Sequence, residues 1–359
     1  MNIKKILIIN PYGIGDVLFT TPIIHTLKDV CPDAKIGYLC NRRTEAILKN
    51  NPYIDFLFVY ERDEFEKIKK GFLFLWLKEI FAFLNRIKKE HFDMVFDFSL
   101  NSQYGFFSWY AGIKQRIGYD FKNRGRFLTH KIKMSGYNEK HIVEYYADLL
   151  EYAGFNLKYK NLELYIKDED KKKVEEMLTR EGVSSSDNLL GIIPGAGRSW
   201  GRDAQIKHWS TEKFAQLADK VIENYNAKVI IMGDFWEKEL VMSVGEKMHH
   251  KAIDLSSRTT IAELAALLNK MKVIIANDGG PLHMAVALGV KTVSVFGPVD
   301  EKVYGPYPAS DNHSVIKKDF PCRPCYKNFR FTGCSFNRRC INDITVDEVL
   351  IQTERLLKK

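Results

Sequence analysis

The chain has 359 residues, more than one hydrophobic core usually organises, so we expect two domains. Its composition, 45% hydrophobic and 28% charged, is that of an ordinary soluble globular protein. The formal net charge of +9 favours an anionic partner, a class that includes nucleic acid, an anionic membrane face and a phosphorylated substrate.

The apolar stretches of the first hundred residues are too short to target or cross a membrane. The run Ile6–Ile9 ends at Asn10-Pro11, and the longest stretch, from Phe72 to Leu84, falls short of the roughly 20 residues that span a bilayer. We therefore predict a cytoplasmic protein whose six cysteines are thiols or metal ligands and not disulfides.

Short apolar strands alternate with amphipathic helices in both halves of the chain, a pattern typical of parallel sheets covered by helices on both faces. The strands predicted in the first half are Ile6–Ile9, Ile36–Cys40, Phe56–Tyr60 and Met94–Phe98. Those predicted in the second half are Leu189–Ile193, Lys228–Met232, Val273–Ala276 and Thr292–Phe296. Helices are predicted over Glu64–Glu90, Phe214–Ile222, Glu237–Met248 and Ile261–Asn269, and from Pro281.

This alternation predicts an α/β protein of two Rossmann-like, doubly wound domains facing across a cleft. The polar stretches around Lys167–Lys173 and Ser184–Asp187 mark the junction, which we place between residues 1–180 and 181–359. In this prediction the final helix is able to pack back on the first domain.

The loop Tyr12–Asp16 follows the first predicted strand, where open parallel sheets bind ligands. It lacks a dinucleotide fingerprint, because Leu18 stands where a third glycine or alanine is needed. Cys40–Arg43, after the second strand, also lacks the acidic residue that binds a ribose, so a nicotinamide cofactor is disfavoured. Asp16 is either displayed to a ligand or caps its own helix, which is worth roughly 1 kcal/mol.

The second loop, Pro194–Arg198, precedes Lys207 and suits a phosphate group. Gly195 and Gly197 bare backbone amides, while Arg198 and Lys207 supply positive charge. The alternative is a plain strand-to-helix turn whose cations are solvated.

The third loop, Asn277–His283, joins a buried strand to a helix that carries Pro281 in its first turn. The amides of Gly279 and Gly280 and the helix dipole favour anionic oxygens. Asp278 either caps the helix or accepts from ligand hydroxyls, and His283 either donates to a phosphate or has a structural role.

Cations crowd the stretch from Gly112 to Lys133, where Asp120 is the single acid. This stretch either binds an anionic acceptor, rests on anionic lipid head groups or is a solvated basic loop. No recognition motif accompanies the charge, so we expect no nucleic-acid partner. The helix Glu64–Glu90 has a wide apolar face that packs on the sheet or dips into a membrane interface.

Four cysteines cluster before the final helix, at Cys322, Cys325, Cys334 and Cys340. Four thiolates in such a span are able to bind a structural zinc ion. The second pair is not a close Cys-x-x-Cys, so reduced thiols in a tight loop are the favoured alternative and no metal is assigned.

Four segments, taken in order, resemble glycosyltransferase family 9, the bacterial ADP-heptose:lipopolysaccharide heptosyltransferases. They are Ile6–Pro22 with its G-D-x-L-x-T-x-P pattern, Asp97–Tyr119, Gly191–Trp209, and Asn277–Pro298 with N-D-x-G-P-x-H and a final F-G-P. The resemblance spans nearly the whole chain. It implies a GT-B fold and an inverting, metal-independent transfer without a cofactor, in which the first domain binds the acceptor and the second binds the ADP-sugar.

The resemblance also implies roles for single residues. Asp16 matches the family's proposed general base, and Lys207 matches a residue that contacts the donor phosphates. The other donor-binding residues implied are Gly195, Ala196, Gly197, Glu237, Asp278, Gly279, Gly280 and His283. The acceptor-binding residues predicted are Gly15, Asp97, Asn101, Arg116, Lys122 and Arg124. The sequence departs from the family at Gly279, where Ser or Thr is common, and by an insertion over Ser199–Ile206.

The predicted function is the transfer of a heptose or related sugar from an ADP-sugar to an anionic, lipid-linked acceptor of the lipopolysaccharide inner-core type. The predicted location is the cytoplasm, with peripheral contact to the inner membrane. Asp16 would take the proton of the acceptor hydroxyl, and Lys207 would stabilise the departing diphosphate. The alternatives are a transferase of the same fold with another nucleotide-sugar donor, and a sugar-nucleotide-binding protein without turnover.

Overall fold

The computed structural model describes residues 3–197 and 201–359, without the side chain of Arg202. Arg198, one of the predicted phosphate-binding cations, lies outside the described residues. The chain divides into two compact units, one formed by Met1–Tyr137 and Ile142–Asn161, the other by Asn138–His141 and Leu162–Lys359.

The first unit is built on a parallel six-stranded sheet in the order β3-β2-β1-β4-β5-β6. Its strands are β1 Lys5–Ile9, β2 Lys35–Cys40, β3 Phe56–Val59, β4 Met94–Asp97, β5 Gln115–Phe121 and β6 His130–Met134. Its helices are α1 Ile14–Leu18, α2 Thr21–Val30, α3 Glu45–Leu48, α4 Arg62–Gly71, α5 Leu73–Lys89, α6 Ser102–Tyr110 and α7 Ile142–Tyr152.

The second unit has its own parallel six-stranded sheet, in the order β12-β11-β10-β7-β8-β9. Its strands are β7 Asn188–Ile193, β8 Ala227–Ile231, β9 Ile253–Asp254, β10 Val273–Asn277, β11 Lys291–Phe296, β12 His313–Lys317, and the hairpin β13 Tyr326–Lys327 and β14 Arg330–Phe331. Its helices are α8 Asp168–Arg180, α9 Thr211–Tyr225, α10 Lys238–Gly245, α11 Ile261–Leu268, α12 Gly280–Ala287, α13 Glu301–Tyr304, α14 Arg339–Asn342 and α15 Val346–Lys358.

Both sheets reverse their strand order at an equivalent place. In the first unit β1 lies between β2 and β4, and in the second β7 lies between β8 and β10. At such a switch point the chains leaving the two neighbouring strands turn to opposite faces, which opens a crevice at the carboxyl edge of the sheet. The fold therefore places one ligand crevice beside β1 and β4, and another beside β7 and β10.

Apolar side chains from the strands and the covering helices form a separate core in each unit. In the first, Leu7 and Ile9 of β1 pack with Leu84 of α5 and Phe107 of α6. In the second, Trp209 is 1% exposed and packs with α9 and the sheet. The doubly wound fold predicted from the sequence is confirmed.

The long helix predicted over Glu64–Glu90 is wrong as a single element. The backbone of Phe72, with φ −143° and ψ 88°, separates α4 from α5. Helix α4 buries no residue, whereas Phe83 and Leu84 of α5 lie in the core. Core packing is thus confirmed for the second half of α5, whereas Phe65 of α4 and Trp76 at the start of α5 are only partly buried against the same core.

The basic stretch after Gly112 contributes two strands, β5 and β6, that the sequence analysis did not predict. The alternation that signals β5 is present in the sequence, since Ile117, Tyr119 and Phe121 are buried apolar residues at every second position. The cations of the basic stretch obscured this two-residue alternation. Among the described residues, no helix is both long and apolar enough to cross a membrane.

The final helix α15 packs on the second unit, where Val349 and Leu356 are fully buried in the core with α9. Truncating Leu356 to Ala removes apolar contacts and leaves a cavity, so we expect the free energy of unfolding to fall by about 2–4 kcal/mol. Urea unfolding of the purified chain measures this change. Ile351→Ala is the matched control on the same helix, because Ile351 is 61% exposed. Equal effects of the two substitutions would contradict this packing.

Candidate active site

The buried amide of Asn277 joins three segments at the β7–β10 crevice. Its Oδ1 accepts from the backbone N–H of Trp209 at 3.0 Å, and its Nδ2 donates to the carbonyl of Pro194 at 2.6 Å. Asn277 is only 1% exposed, so these bonds are shielded from water. They hold the glycine loop after β7, the segment of Lys207 and the turn before α12 at one place.

Gly279 lies where the turn before α12 touches the glycine loop. A Cβ built on Gly279 would stand 2.9 Å from the carbonyl oxygen of Ala196, closer than side chains tolerate. This contact gives a physical reason for glycine where Ser or Thr is common in the family that the sequence resembles. Gly279 is also the N-cap of α12 and has no side chain to accept from the amides of the first turn. Those amides can serve an anionic ligand.

Lys207 and Asp278 form a buried ion pair in this crevice. The Nζ of Lys207 lies 2.6 Å from the Oδ2 of Asp278, and the two side chains are 7% and 8% exposed. Since a buried charge is costly without a partner, each group holds the other in place. The sequence analysis gave Asp278 a capping or hydroxyl-binding role and did not predict this pair.

His283 brings hydrogen-bonding capacity to the crevice without positive charge at neutral pH. It is 4% exposed on α12, and burial lowers its pKa to about 4. Asp278 opposes this shift, whereas the Lys207 ammonium adds to it. Among the described side chains of the motif, Lys207 therefore supplies the cationic charge.

Glu237 shapes the glycine loop. Its Oε1 accepts from the amide of Gly197 at 2.9 Å, and its Oε2 accepts from the amide of Asp234 at 3.2 Å. A Cβ on Gly195 would overlap the Glu237 carboxylate, so any larger residue there must displace that carboxylate. Burial raises the pKa of Glu237, and the amide donors oppose that rise.

Three residues beside the predicted set were missed. Phe235 and Trp236 are 69% and 66% exposed on the short 3₁₀ turn that carries Glu237. His141, from the segment Asn138–His141, stacks on Tyr307 with ring centroids 4.4 Å apart, and its Nε2 bonds to the Gly305 carbonyl at 3.1 Å. Burial lowers the pKa of His141 to about 3, and His283 adds to the shift. No local sequence signal links this histidine to the second unit.

The crevice of the first unit lies between the loops after β1 and β4. The hydroxyl of Tyr12 donates to the carbonyl of Ser99, which joins the two loops. Asp16, with Gly15 before it, is half-buried in the first turn of α1, and its Oδ2 accepts from the Gly13 amide at 3.0 Å. Asp16 is therefore not the N-cap of α1, as the alternative interpretation expected: Gly13 is the N-cap, and Asp16 accepts from its amide from the third helical position.

Asp97 and Asn101 lie in the β4 loop of the same crevice. The Oδ1 of Asp97 accepts from the Ser99 amide at 2.9 Å, and burial raises the pKa of Asp97 to about 6. Asn101 caps α6 by accepting from the Gln103 amide at 3.1 Å. The loops that carry Gly15, Asp16, Asp97 and Asn101 therefore follow neighbouring strands at one switch point.

The three predicted acceptor-binding cations lie at opposite ends of β5. Arg116 lies near the amino end of β5, away from the carboxyl edge, and its guanidinium donates to the carbonyls of Ile113 and Phe127. Lys122 and Arg124 follow the carboxyl end of β5 and are exposed beside the ring of Phe121. Arg116 thus stabilises its own loop, whereas the other two remain accessible.

The four clustered cysteines are thiols in the structure. Cys325 and Cys340 are buried, and burial raises the pKa of Cys325 to about 12, with neighbouring Cys322 adding to the shift. Over residues 3–197 and 201–359, no three His, Cys, Asp or Glu side chains have the arrangement of a metal site. The zinc alternative stays a prediction.

Comparison with known proteins defines the class first. A family 9 glycosyltransferase of Veillonella parvula has a TM-score of 0.81 and 24% identity, covering 100% of this chain and 99% of its own. The Escherichia coli ADP-heptose LPS heptosyltransferase II has a TM-score of 0.76 and 20% identity, covering 99% of this chain and 98% of its own. Together with the two doubly wound sheets, these similarities identify a GT-B protein.

Residues 80–334 match the profile of glycosyltransferase family 9 (heptosyltransferase). The lipooligosaccharide heptosyltransferase 2 of Campylobacter jejuni is 24% identical over 358 residues, 99% of this chain and 98% of that protein. The chain belongs to glycosyltransferase family 9 and is a glycosyltransferase.

The contact between Gly195 and Glu237 can be tested by substitution. Gly195→Ala would push the carboxylate off the Gly197 amide, and we expect the free energy of unfolding to fall by about 1–3 kcal/mol. In Gly195→Ala/Glu237→Ala the clash is absent, so the loss should be smaller than the sum of the single effects. Gly245→Ala is the control, because open space surrounds its Cβ. Strict additivity in urea unfolding would argue against the contact.

Buried and half-buried histidines of the second unit make its stability depend on pH. Burial lowers the pKa of His141 to about 3 and those of His208, His283 and His313 to about 4, from an ordinary value of 6.5. As the pH falls below 6.5, these histidines become protonated in the unfolded chain but stay neutral in the folded unit. The free energy of unfolding should therefore fall between pH 6.5 and 4, by at most about 1.4 kcal/mol per pH unit for each histidine.

Urea unfolding across this pH range measures that slope. His313→Gln should flatten it, whereas His249→Gln should leave it unchanged, because the His249 ring is exposed. An unchanged slope in His313→Gln would show that the half-buried His313 ring does not contribute.

Proposed function

We propose that the protein transfers a heptose from an ADP-sugar to an acceptor of the lipopolysaccharide inner-core type, with inversion and without a metal ion. The second unit would bind the donor at the β7–β10 crevice, and the first would bind the acceptor at the β1–β4 crevice. The observation that carries the proposal is the Lys207–Asp278 pair, which is held beside the uncapped start of α12.

The donor site matches the chemistry of a nucleoside diphosphate. The amides of Gly279 and Gly280 and the helix dipole offer partial positive charge, and Lys207 adds a full charge. A diphosphate entering here would share the Lys207 ammonium with Asp278, while neutral His283 would donate a hydrogen bond. These groups neutralise the leaving group with side chains and amides, a task that other transferases give to a metal ion.

We assign Asp16 as the general base of the transfer step. The acceptor hydroxyl would give its proton to the Asp16 carboxylate while its oxygen bonds to the anomeric carbon. The bond from that carbon to the diphosphate oxygen would break at the same time, with its electron pair leaving on the diphosphate. Attack from the side opposite the leaving group inverts the anomeric centre.

The chemical identity of donor and acceptor rests on the family's members. The structural relative from Escherichia coli is an ADP-heptose LPS heptosyltransferase, and the Campylobacter jejuni relative is a lipooligosaccharide heptosyltransferase. Exposed Lys122 and Arg124 are suited to an anionic, lipid-linked saccharide. Arg116 is left out of the proposed acceptor site. The chain would work in the cytoplasm at the inner membrane.

A thermal-shift titration with ADP, UDP and GDP tests the donor site. ADP should raise the melting temperature more than UDP or GDP at equal concentration, because binding to the folded state stabilises it. Lys207→Met should weaken ADP binding by about tenfold or more, since it removes a charge-assisted contact. Lys220→Met is the control, because Lys220 of α9 forms an exposed ion pair with Asp347 of α15. No shift with any nucleotide would refute the donor site, and a UDP or GDP preference would point to another donor.

A transfer assay with ADP-heptose and a lipopolysaccharide-core acceptor tests the base. Asp16→Asn should lower the rate by about 10²-fold or more and leave the ADP-induced thermal shift intact. An unchanged rate would remove Asp16 from the chemistry. A chain that binds ADP but transfers no sugar to any acceptor, even as wild type, would support a binding protein.

A further inference from the structure

A row of aromatic rings crosses the surface of the first unit. The ring centroids are separated by 5.7 Å for Phe81–Tyr110, 6.4 Å for Tyr110–Phe106, 5.7 Å for Phe106–Trp109 and 5.9 Å for Trp109–Phe127. Phe81 is 43% exposed and Trp109 is 51% exposed. These five side chains, called the aromatic row below, join α5, α6 and the loop after β5 into one surface.

The start of α5 extends this surface with four further exposed apolar side chains. Phe72, Leu73, Phe74 and Leu75 are 70%, 56%, 89% and 43% exposed. Phe74 precedes Phe81 by seven residues, two helical turns, so both project from the same side of α5. The break at Phe72 thus leaves an apolar corner, residues 72–75, that continues into the aromatic row.

Cations flank both parts of the surface. The Nζ of Lys88 lies 5.3 Å from the centroid of the Tyr110 ring, and the Nζ of Lys69 lies 5.0 Å from that of Trp76. The Cζ of Arg126 lies 4.8 Å from the centroid of the Phe127 ring. The one acid of the neighbouring basic stretch, Asp120, is 9% exposed and pairs with Lys131 at 3.5 Å. The surface therefore presents aromatic rings and positive charge together.

We propose that the apolar corner and the aromatic row dock on the head-group region of an anionic lipid bilayer. Aromatic side chains favour the membrane–water interface, and each nearby Lys or Arg adds attraction to anionic lipid. A bilayer of that charge is complementary to Lys69, Lys88 and Arg126. A second copy of the chain is disfavoured as the occupant, because the same cations would meet across the contact.

Helix α6 connects this surface to the proposed acceptor site, a link that rests on the proposed function. It begins at the Asn101 cap beside Asp97 and spans nine residues to Tyr110 in the aromatic row. At 1.5 Å per residue its length is about 14 Å. Docking would hold the acceptor crevice near the lipid surface, where a lipid-linked saccharide projects.

Vesicle co-sedimentation of the full chain tests the proposal. Wild type should bind vesicles of phosphatidylethanolamine with phosphatidylglycerol, bind phosphatidylcholine vesicles weakly, and release as salt is raised. Leu73→Ser/Phe74→Ser should lower the partition coefficient about tenfold or more, and so should Lys88→Glu/Arg126→Glu. Ile351→Ser is the matched control, since it removes an exposed apolar side chain from the second unit.

The ADP-induced thermal shift of each variant separates the two proposals. Retained ADP response with lost vesicle binding supports the docking surface and shows that the variant is folded. Wild-type partitioning by both double variants, or no binding of wild type to anionic vesicles, would overturn the docking surface and leave the donor site unaffected. A dimer in light scattering that Leu73→Ser/Phe74→Ser converts to a monomer, without vesicle binding, would assign the surface to self-association instead.

Discussion

The reversal of strand order beside β1 and β7 is the constraint on which both candidate sites depend. Because β4 and β10 enter on the other side of the first strand of each unit, the loops after β1 and β4, and after β7 and β10, meet at the carboxyl edge. Residues far apart in the chain become neighbours there, as Tyr12 and Ser99 do in one unit and Trp209 and Asn277 in the other. The strand order of each sheet thus determines which loops are neighbours, whatever side chains those loops carry.

Within the second unit, polar groups are buried where chemistry is proposed. The Asn277 amide satisfies a carbonyl and an amide that the loops would otherwise leave unpaired in the interior, and the Lys207–Asp278 pair keeps a cation where water scarcely reaches. Buried ion pairs seldom stabilise a fold more than well-packed apolar groups would. Their presence at the start of α12 is better explained by a ligand that needs the charge than by stability.

The fold was largely predictable, whereas the geometry of the site was not. All eight predicted strands are present, because buried parallel strands can be recognised in a sequence as short apolar runs. The break at Phe72 and the strand β5 were missed, because an apolar stripe and a run of cations hid the local signals. Among site residues, the motif marked Asp278 and Arg116, but the partners of their charges, Lys207 and two loop carbonyls, could not be read from spacing.

The sequence by itself determined the alternation of strands and helices, the glycine loops and the family resemblance, because each depends on residues close together in the chain. Only the tertiary structure decided that Asp278 pairs with Lys207, that Glu237 holds the glycine loop, and that α5 leaves an apolar corner exposed. Hydrophobic period and turn chemistry act over a few residues. Pairing across tens of residues and the exposure of a helix face depend on strand order and on what else packs against the sheet.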